Sequence, residues 1–386
     1  MKRFLAMILS LLIICTAAAC ASEKNESESQ SETTASGTVK TETTTPATTK
    51  AVEKATKAAE ATTAAQEAKP QALSSEAEAA LNQTIADYGF EGVVYIVKDS
   101  TPAFQYANGT LSNGADINIG TSMPVCSVSK QFCAAAIMIL QEDGLLSIDD
   151  TLDKYFPEYA EGKRIKLKNL MSMRSGIPDF YEENHPGLLS GDKTDAENKA
   201  ALKNWVFSQP LVAEPDSSFA YTNVNFFLLS QIVEQVSGER YIDFLREYFF
   251  EPLGMTHTSS VAESGAESGV DFPDLGMHPS YANGCADLVS NAEDIIKWIT
   301  AFGSGGVVNE DSFAQMTTNY SEGTGYGYGL FTNVGGGIGH PGSLGVYTAY
   351  DYINSDDNTK IFLCSNTLPI TSINQFMAEV LEDIKK

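Results

Sequence analysis

The sequence is poor in residues that hold metals or bind nucleic acids. Its 386 residues include four histidines, which have no metal-ligand spacing, and no Cys-x-x-Cys pair occurs. We therefore expect a mechanism without a metal or other cofactor. Basic residues are also scarce, since 25 lysines and arginines face 50 aspartates and glutamates, for a net charge of −25. No basic patch occurs, which argues against nucleic acid or anionic lipid headgroups as partners.

The N-terminus lacks an apolar run of transmembrane length. Residues 4–14 are apolar but too short to span a bilayer as a resident helix, and they follow Lys2 and Arg3. A basic start, a short apolar stretch and small residues before a cleavage point predict a secretory signal over residues 1–20. Cys20 follows three alanines, which resembles a bacterial lipoprotein box. We expect a lipoprotein on the extracellular face of the bacterial membrane, with simple secretion as the alternative.

Large apolar side chains are almost missing from residues 21–72. This stretch consists mainly of Thr, Ser, Glu, Lys and Ala, which cannot bury enough surface to offset the entropy of ordering the chain. It is predicted to be a disordered linker. Residues 73–386 follow, in a chain with 43% hydrophobic residues, and they are long enough to form one large catalytic domain.

Cysteine is sparse in the predicted domain, which holds only Cys126, Cys133, Cys285 and Cys364. The first two would lie two helical turns apart, roughly 10 Å, which is too far for a disulfide bond. A disulfide between Cys285 and Cys364 is compatible with the sequence. Separate buried thiols are the alternative.

Hydrophobic periodicity predicts strands at both ends of the domain and helices between them. A first helix over residues 75–86 precedes two strands, 92–97 and 103–107, joined by a turn near 99–100. Helical patterns follow at 167–173, 198–208, 225–237, 241–250 and 292–302. Short strands come next, at 328–331, 337–340, 346–353 and 360–365, before a last helix at 372–385. This order predicts a mixed α+β domain, with the sheet in one layer and a helical insertion.

The most informative stretch runs from Ser127 to Lys130 and opens an apolar helix. One helical turn separates the two side chains, so the hydroxyl and the amine project from the same side and can touch. A serine becomes a strong nucleophile when a neighbouring base takes its proton, and a buried lysine can act as that base. The helix N-terminus favours the developing alkoxide. This Ser-x-x-Lys arrangement is typical of serine beta-lactamases and penicillin-binding proteins.

A second motif, Tyr-x-Asn, could supply a proton relay and a substrate contact. It occurs four times, and the copies at Tyr106 and Tyr352 fall in predicted strands. Tyr221 is favoured because it lies in a loop directly before an amphipathic helix, and Tyr281 is its competitor. A tyrosine near a lysine can pass a proton to the leaving group, while the Asn223 amide can donate and accept toward a substrate amide.

Residues 73–386 resemble the beta-lactamase-like serine hydrolases, which include class C beta-lactamases, D-alanyl-D-alanine carboxypeptidases and related esterases. The likeness rests on five stretches, at 127–130, 143–150, 175–178, 221–223 and 252–255. It implies a beta-lactamase/transpeptidase-like fold, an antiparallel sheet flanked by terminal helices with a mostly helical inserted domain. It also implies Ser127 as the acylated nucleophile, Lys130 as its proton acceptor, Tyr221 as acid and base, and Asn223 as a substrate contact.

The family's third motif matches His340-Pro341-Gly342. His340 is expected to tune Tyr221 or to meet an anionic substrate group. Following the family pattern, the backbone N–H groups of Ser127 and Ser343 would form the oxyanion hole. Pro341 departs from the family because it lacks the hydroxyl that often helps to hold a substrate carboxylate. This departure favours an ester, amide or D-amino-acid peptide as substrate.

Two further residues, and the absence of one motif, bear on the choice of nucleophile and fold. Cys126 adjoins the nucleophile but is expected to be a packed small residue, and His185, in a second His-Pro-Gly, is interpreted as a turn residue. No Gly-x-Ser-x-Gly occurs, which argues against an alpha/beta-hydrolase. The alternative functions are a D,D-carboxypeptidase or beta-lactamase, and a penicillin-binding sensor or wall-binding module without turnover. The expected partner is a small-molecule or peptide substrate, including cell-wall peptide.

Overall fold

The computed structural model describes residues 72–264 and 278–386. The signal segment predicted at 1–20, the lipidation site Cys20 and nearly all of the linker predicted at 21–72 lie outside these residues. Within the described ranges, no helix is both long and apolar enough to cross a bilayer.

The helices and strands of the described residues follow the predicted order. The helices are α1 Ser75–Asp87, α2 Ser129–Glu142, α3 Leu167–Met171, α4 Asp195–Ser208, α5 Asn223–Ser237, α6 Tyr241–Leu245, α7 Glu251–Leu253, α8 Val261–Ser264, α9 Pro279–Ala282, α10 Ala292–Gly303, α11 Glu310–Met316 and α12 Ile370–Asp383. The strands are β1 Gly92–Lys98, β2 Thr101–Asn108, β3 Met123–Pro124, β4 Ser259–Ser260, β5 Leu288–Ser290, β6 Phe331–Val334, β7 Gly337–Leu344, β8 Tyr347–Asn354 and β9 Thr359–Ser365.

Six strands form one antiparallel sheet in the order β2-β1-β9-β8-β7-β6. The β1–β2 hairpin turns at Asp99 and Ser100, whose φ angles of 46° and 63° give the left-handed turn that matches strand twist. β1 also pairs with β9, from Gly92 opposite Ser365 to Lys98 opposite Thr359. The two ends of the domain therefore meet in the centre of the sheet.

The sheet separates two hydrophobic cores. On β1, Val94 and Ile96 point to the side where α1 and α12 pack, whereas Val93 and Tyr95 point to the helical region. This alternation follows from the two-residue period of a strand. The predicted arrangement of terminal helices on a sheet, with the other helices inserted, is confirmed.

Helix α2 is buried on all sides, as expected for a helix that is apolar around its whole circumference. Its Phe132 stacks on Trp298 of α10, with ring centroids 3.7 Å apart. Ser127 precedes this helix, in the 3₁₀ turn Cys126–Val128, instead of lying in its first α-helical turn as predicted. The turn and α2 together carry Ser127 and Lys130 into the space between the helical region and the sheet.

One element prediction is wrong over most of its length. Residues 328–331 were expected to form a strand, but residues 328–330 form a bend and strand β6 begins only at Phe331. In this bend Gly329 has a φ of 75°, and the Tyr328 N–H donates to the Met316 carbonyl oxygen. The segment predicted as a helix at 241–250 is helical throughout, as α6 up to Leu245 and then as a π-helical segment, Arg246–Phe250. The four described cysteines are buried free thiols, so the alternative of separate thiols holds for Cys285 and Cys364.

Candidate active site

Ser127 lies where a short turn meets strand β7. A Cβ on Gly342 of that strand would come within 2.6 Å of the Ser127 backbone nitrogen, so only glycine permits the approach. The preceding residue, Cys126, has a φ of 53°, an uncommon left-handed conformation for a non-glycine residue. Ser127 remains slightly exposed, whereas Cys126 and Val128 are fully buried. The turn therefore presents the serine hydroxyl and hides its neighbours.

Lys130 is fully buried, and its amine contacts three acceptors. The Nζ atom donates to Ser127 Oγ at 3.1 Å, to Asn223 Oδ1 at 2.8 Å and to the Cys285 carbonyl oxygen at 2.8 Å. A charged lysine has three N–H donors, so these contacts use them all. A neutral lysine could keep the two contacts with Asn223 and Cys285 and accept the serine proton with its lone pair. The geometry thus fits a serine nucleophile and a lysine base.

Tyr221 lies above this pair, at the start of α5. Its ring centroid is 4.9 Å from Lys130 Nζ, and 38% of the residue is exposed. Tyr281, its competitor, is only 2% exposed, and its hydroxyl donates to Asp179. Tyr106 donates to the Phe90 carbonyl on the edge of the sheet, and Tyr352 is buried in the terminal-helix core. Of the four motif tyrosines, Tyr221 is the one that lines the cavity above Ser127.

His340 lies under the site and faces protein on both ring nitrogens. Its Nδ1 is 2.5 Å from the Pro341 carbonyl oxygen, which can only accept, so Nδ1 carries the proton. Nε2 then accepts from the Tyr326 hydroxyl at 3.0 Å. Burial, together with the positive charge of Lys130, lowers the pKa of His340 to about 3. His340 is therefore neutral and has no nitrogen free for an anionic substrate group, which contradicts that part of its predicted role.

A buried polar chain supports the backbone of His340 from the far side. The His340 N–H donates to Asp351 Oδ1 at 2.8 Å, and Gln131 Nε2 donates to both oxygens of the same carboxylate. Trp298 Nε1 in turn donates to Gln131 Oε1 at 3.1 Å. Burial raises the pKa of Asp351 to about 7 in spite of these donors. Gln131 is the neighbour of Lys130 in α2, so this chain ties β7 and β8 to the helix that carries the lysine.

A cavity of about 260 Å³ opens above Ser127. The described residues that line it are uncharged, because its one titratable imidazole, that of His340, is neutral at physiological pH. They are Ser127, Tyr221, Asn223, Ala286, Phe331, His340, Pro341, Ser343, Ile370 and Asn374. Ser343 thus lines the same cavity as Ser127, and Gly342 makes room for the turn.

Two other sequence candidates lie away from the reacting groups. Cys126 is fully buried, with its Sγ near the Pro124 and Tyr347 carbonyl oxygens, and burial raises the pKa of its thiol well above the usual range. His185 stacks on Phe180, with ring centroids 5.4 Å apart, and is not among the residues that line the cavity. Both placements agree with the structural interpretation of these residues.

The sequence prediction missed two groups that hold Lys130 and its neighbours. The Cys285 carbonyl oxygen is a backbone acceptor, which no residue type signals. Asp179 accepts at Oδ1 from Thr222 Oγ1 at 3.0 Å and from the Asn223 backbone N–H at 2.9 Å. It directly follows the stretch 175–178 that contributes to the family resemblance, so its position offered a weak signal.

Comparison with known proteins agrees with this geometry. The profile of the family described as Beta-lactamase matches residues 76–383. The chain belongs to this family. It is therefore a serine hydrolase of the beta-lactamase fold.

Two curated relatives show the range of the family around this chain. A Bacillus subtilis (strain 168) protein named for penicillin binding, PbpX, is 29% identical over 310 residues, which cover 74% of each chain. A D-aminopeptidase of Brucella anthropi is 30% identical over 200 residues, covering 50% of this chain and 37% of the relative. The chain thus spans well under half the length of that aminopeptidase.

Solved structures share the fold. D-amino acid amidase from Ochrobactrum anthropi SV3, in complex with L-phenylalanine amide, superposes with a TM-score of 0.68 at 22% identity. That alignment covers 81% of this chain and 99% of the amidase. An octameric penicillin-binding protein homologue from Pyrococcus abyssi superposes with a TM-score of 0.65 at 26% identity, over 79% of this chain and 76% of its own.

Proposed function

We propose that the protein hydrolyses uncharged esters and amides, including D-amino-acid peptides, through an acyl-enzyme on Ser127. In the neutral form of Lys130, the amine takes the hydroxyl proton as Ser127 Oγ attacks the substrate carbonyl carbon. Tyr221 then passes its phenol proton to the leaving alcohol or amine and takes back the proton that Lys130 received, so that both groups return to their neutral forms. The backbone N–H groups of Ser127 and Ser343 hold the oxyanion of the tetrahedral intermediate. Water attacks the ester carbonyl of the acyl-enzyme and regenerates the Ser127 hydroxyl.

The residues that line the cavity are uncharged, which supports the proposal that the substrate is uncharged. A carboxylate that loses water without gaining a cationic partner is strongly penalised, and no lysine or arginine is among the described lining residues. The net charge of −25 adds a long-range repulsion against anions. Asn223 and Tyr221 offer hydrogen bonds that suit a neutral amide or ester.

The relatives support the amide side of this proposal. One of them is named D-aminopeptidase, and a solved structure with the same fold is named D-amino acid amidase. No carboxylate is among the described lining residues here, so a free substrate ammonium would also lack a partner in the cavity. We therefore expect esters and acylated D-amino-acid amides to be better substrates than free D-amino acid amides.

A matched pair of chromogenic esters tests the proposal. p-Nitrophenyl butyrate and mono-p-nitrophenyl succinate have acyl chains of similar length, but only the succinate carries a terminal carboxylate. We expect kcat/KM to be at least about 30-fold higher for the butyrate, which corresponds to roughly 2 kcal/mol. The Ser127→Ala variant is the control for background hydrolysis. Equal values for the two esters, or a preference for the succinate, would contradict an uncharged-substrate site.

The Pro341→Thr variant tests why the site discriminates against the succinate ester. Pro341 lines the cavity, and strand β6 pairs with β7 only from Gly337 to Gly339, so the edge at position 341 is open. A threonine there restores the hydroxyl that often helps to hold a substrate carboxylate in this family. We expect the variant to narrow the ratio between the kcat/KM values of the two esters by about threefold to tenfold, the net effect of one typical hydrogen bond.

Assays with three other kinds of compound distinguish the alternative functions from the proposed one. A beta-lactamase would hydrolyse a chromogenic cephalosporin, and a D,D-carboxypeptidase would release D-alanine from a peptide that ends in D-Ala-D-Ala. A sensor would form a stable penicillin adduct and turn over none of these compounds. The relative PbpX is named for penicillin binding, which supports the beta-lactamase, carboxypeptidase and sensor alternatives. The uncharged cavity disfavours substrates with a carboxylate next to the scissile bond.

We also propose that the protein is anchored to the membrane by a lipid on Cys20 and acts outside the cell. The support is the basic start, the short apolar run and the three alanines before Cys20. Expression in a bacterium supplied with radiolabelled palmitate should label the wild-type protein but not Cys20→Ala. Unlabelled wild-type protein in the culture medium would support secretion instead.

A further inference from the structure

Two chain segments that both contact Lys130 are joined by one carboxylate, that of Asp179. Its Oδ1 atom accepts from the Asn223 backbone N–H at 2.9 Å and from Thr222 Oγ1 at 3.0 Å. The same oxygen accepts from the hydroxyl of Tyr281, which comes from the segment around α9. Asp179 itself lies in the loop that leads from α3 to α4.

Each of these segments supplies one acceptor to the Lys130 amine. Asn223 contributes its side-chain Oδ1, and the segment of Tyr281 contributes the carbonyl oxygen of Cys285. The link from Tyr281 to Cys285 is short and bonded, because Cys285 Sγ donates to the Tyr281 carbonyl oxygen at 3.3 Å. Asp179 therefore connects the two fixed acceptors that orient Lys130 toward Ser127.

We infer that Asp179 is a positioning residue for the reaction, and that Tyr281 acts through it as a brace. This inference rests on the proposed function, since it concerns how Lys130 and Asn223 are held for attack by Ser127. Hydrogen bonds to a carboxylate are stronger than those between neutral groups, so one oxygen with three donors fixes both segments. A displacement of about 1 Å at a reacting group costs about 100-fold in rate. The Tyr281-Ala282-Asn283 copy of the motif thus has a structural use that complements the first copy.

The experiment compares Asp179→Ala, Asp179→Asn and Tyr281→Phe with wild type, using p-nitrophenyl butyrate and pre-steady-state acylation. We expect Asp179→Ala to lower kcat by about 100-fold with KM changed by less than about threefold, because geometry and not substrate contact is lost. Asp179→Asn retains an acceptor oxygen and should lose only about threefold to tenfold in kcat. Asp192→Ala, an exposed aspartate on the α3–α4 connection, is the control and should match wild type.

A double-mutant cycle separates positioning from general damage to the fold. If Tyr281 acts through Asp179, then adding Tyr281→Phe to Asp179→Ala should lower kcat by less than about twofold further. If the kcat losses of the two single variants multiply in the double variant, the inference is overturned. It is also overturned if the kcat of Asp179→Ala lies within threefold of the wild-type value. If Asp179→Ala does not fold, Asp179→Asn and Tyr281→Phe are measured in its place. Wild-type kcat in both variants would overturn the inference. Failure of the proposed function is distinguishable, because wild type itself would then not turn over the ester.

Discussion

At the scale of single residues, chemical environment separates side chains that look alike in the sequence. Tyr221 and Tyr281 both begin a Tyr-x-Asn motif, yet one is exposed above Lys130 and the other is buried against Asp179. Sequence context favoured Tyr221 because a loop before an amphipathic helix can present a side chain. The buried contact of Tyr281 could not be predicted, since it depends on a residue about 100 positions away in the chain.

The first prediction contrasts these two tyrosines. Tyr221→Phe removes the proposed proton relay and should slow acylation by about 100-fold to 1,000-fold. Tyr281→Phe removes one of three donors to Asp179 and should slow acylation by about threefold to tenfold. Stopped-flow release of p-nitrophenol measures both rates. The reverse order would move the relay to Tyr281.

A second prediction concerns the pH dependence of stability, through His340. Burial lowers the pKa of His340 from 6.5 to about 3 in the folded protein. The unfolded chain therefore binds a proton at His340 as pH falls below about 6.5, whereas the folded protein binds it only near pH 3. Stability from neutral His340 is therefore full above pH 6.5 and is lost as pH falls toward 3. Asp351 acts in the opposite direction, because its pKa is raised to about 7 and its burial becomes costly as pH rises from 3.8 toward 7.

Replacing His340 measures how much its imidazole contributes to the pH dependence of the unfolding free energy. Between pH 7 and pH 4.5, His340→Gln should lose about 2–3 kcal/mol less unfolding free energy than wild type. Asp351 and the other carboxylates remain in both proteins, so the difference between the two curves reports His340. Urea unfolding at a series of pH values measures it. Parallel curves would show that His340 titrates normally in the folded protein.

At the scale of elements, the sequence predicts periodic segments well and glycine-rich ones poorly. Helix α1 was predicted within one residue of its end, because its apolar residues keep helical spacing and Ser74 caps it. Residues 328–331 look like a strand, but a Cβ at Gly329 would meet the Lys130 carbonyl oxygen at 2.6 Å. This segment is shaped by close approach to α2. Such a tertiary contact leaves no periodic signal.

The third prediction tests the contact between strand β7 and the Ser127 turn. Gly342→Ala places a methyl group 2.6 Å from both Cys126 Cβ and Ser127 N, so the strand and the turn must separate. We expect a loss of about 1–3 kcal/mol in unfolding free energy, and a fall in kcat of at least tenfold. Gly191→Ala is the matched control, because no atom lies within 4 Å of its added Cβ. Wild-type activity in Gly342→Ala would mean that the turn tolerates displacement.

At the scale of the whole molecule, the site depends on contacts that local patterns do not encode. The pairing of β1 with β9 joins residues about 270 positions apart, and the cavity collects side chains from Ser127 to Asn374. Hydrophobic periodicity predicted the mixed architecture, and the Ser-x-x-Lys spacing predicted the contact between Ser127 and Lys130. Asn223 was predicted as a substrate contact only. The hydrogen bonds that Lys130 donates to Asn223 and to the Cys285 carbonyl oxygen, and the neutral state of His340, depend on tertiary packing.

The proposed mechanism requires Ser127 to be the acylated residue. The most direct measurement is intact mass spectrometry of the protein during turnover of p-nitrophenyl butyrate, with peptide mapping of the adduct. We expect a butyryl adduct on Ser127 that forms and decays while p-nitrophenol is released. It should be absent in Ser127→Ala and retained in Cys126→Ala. A butyryl adduct that persists in Ser127→Ala, or turnover without any adduct on Ser127, would contradict the account.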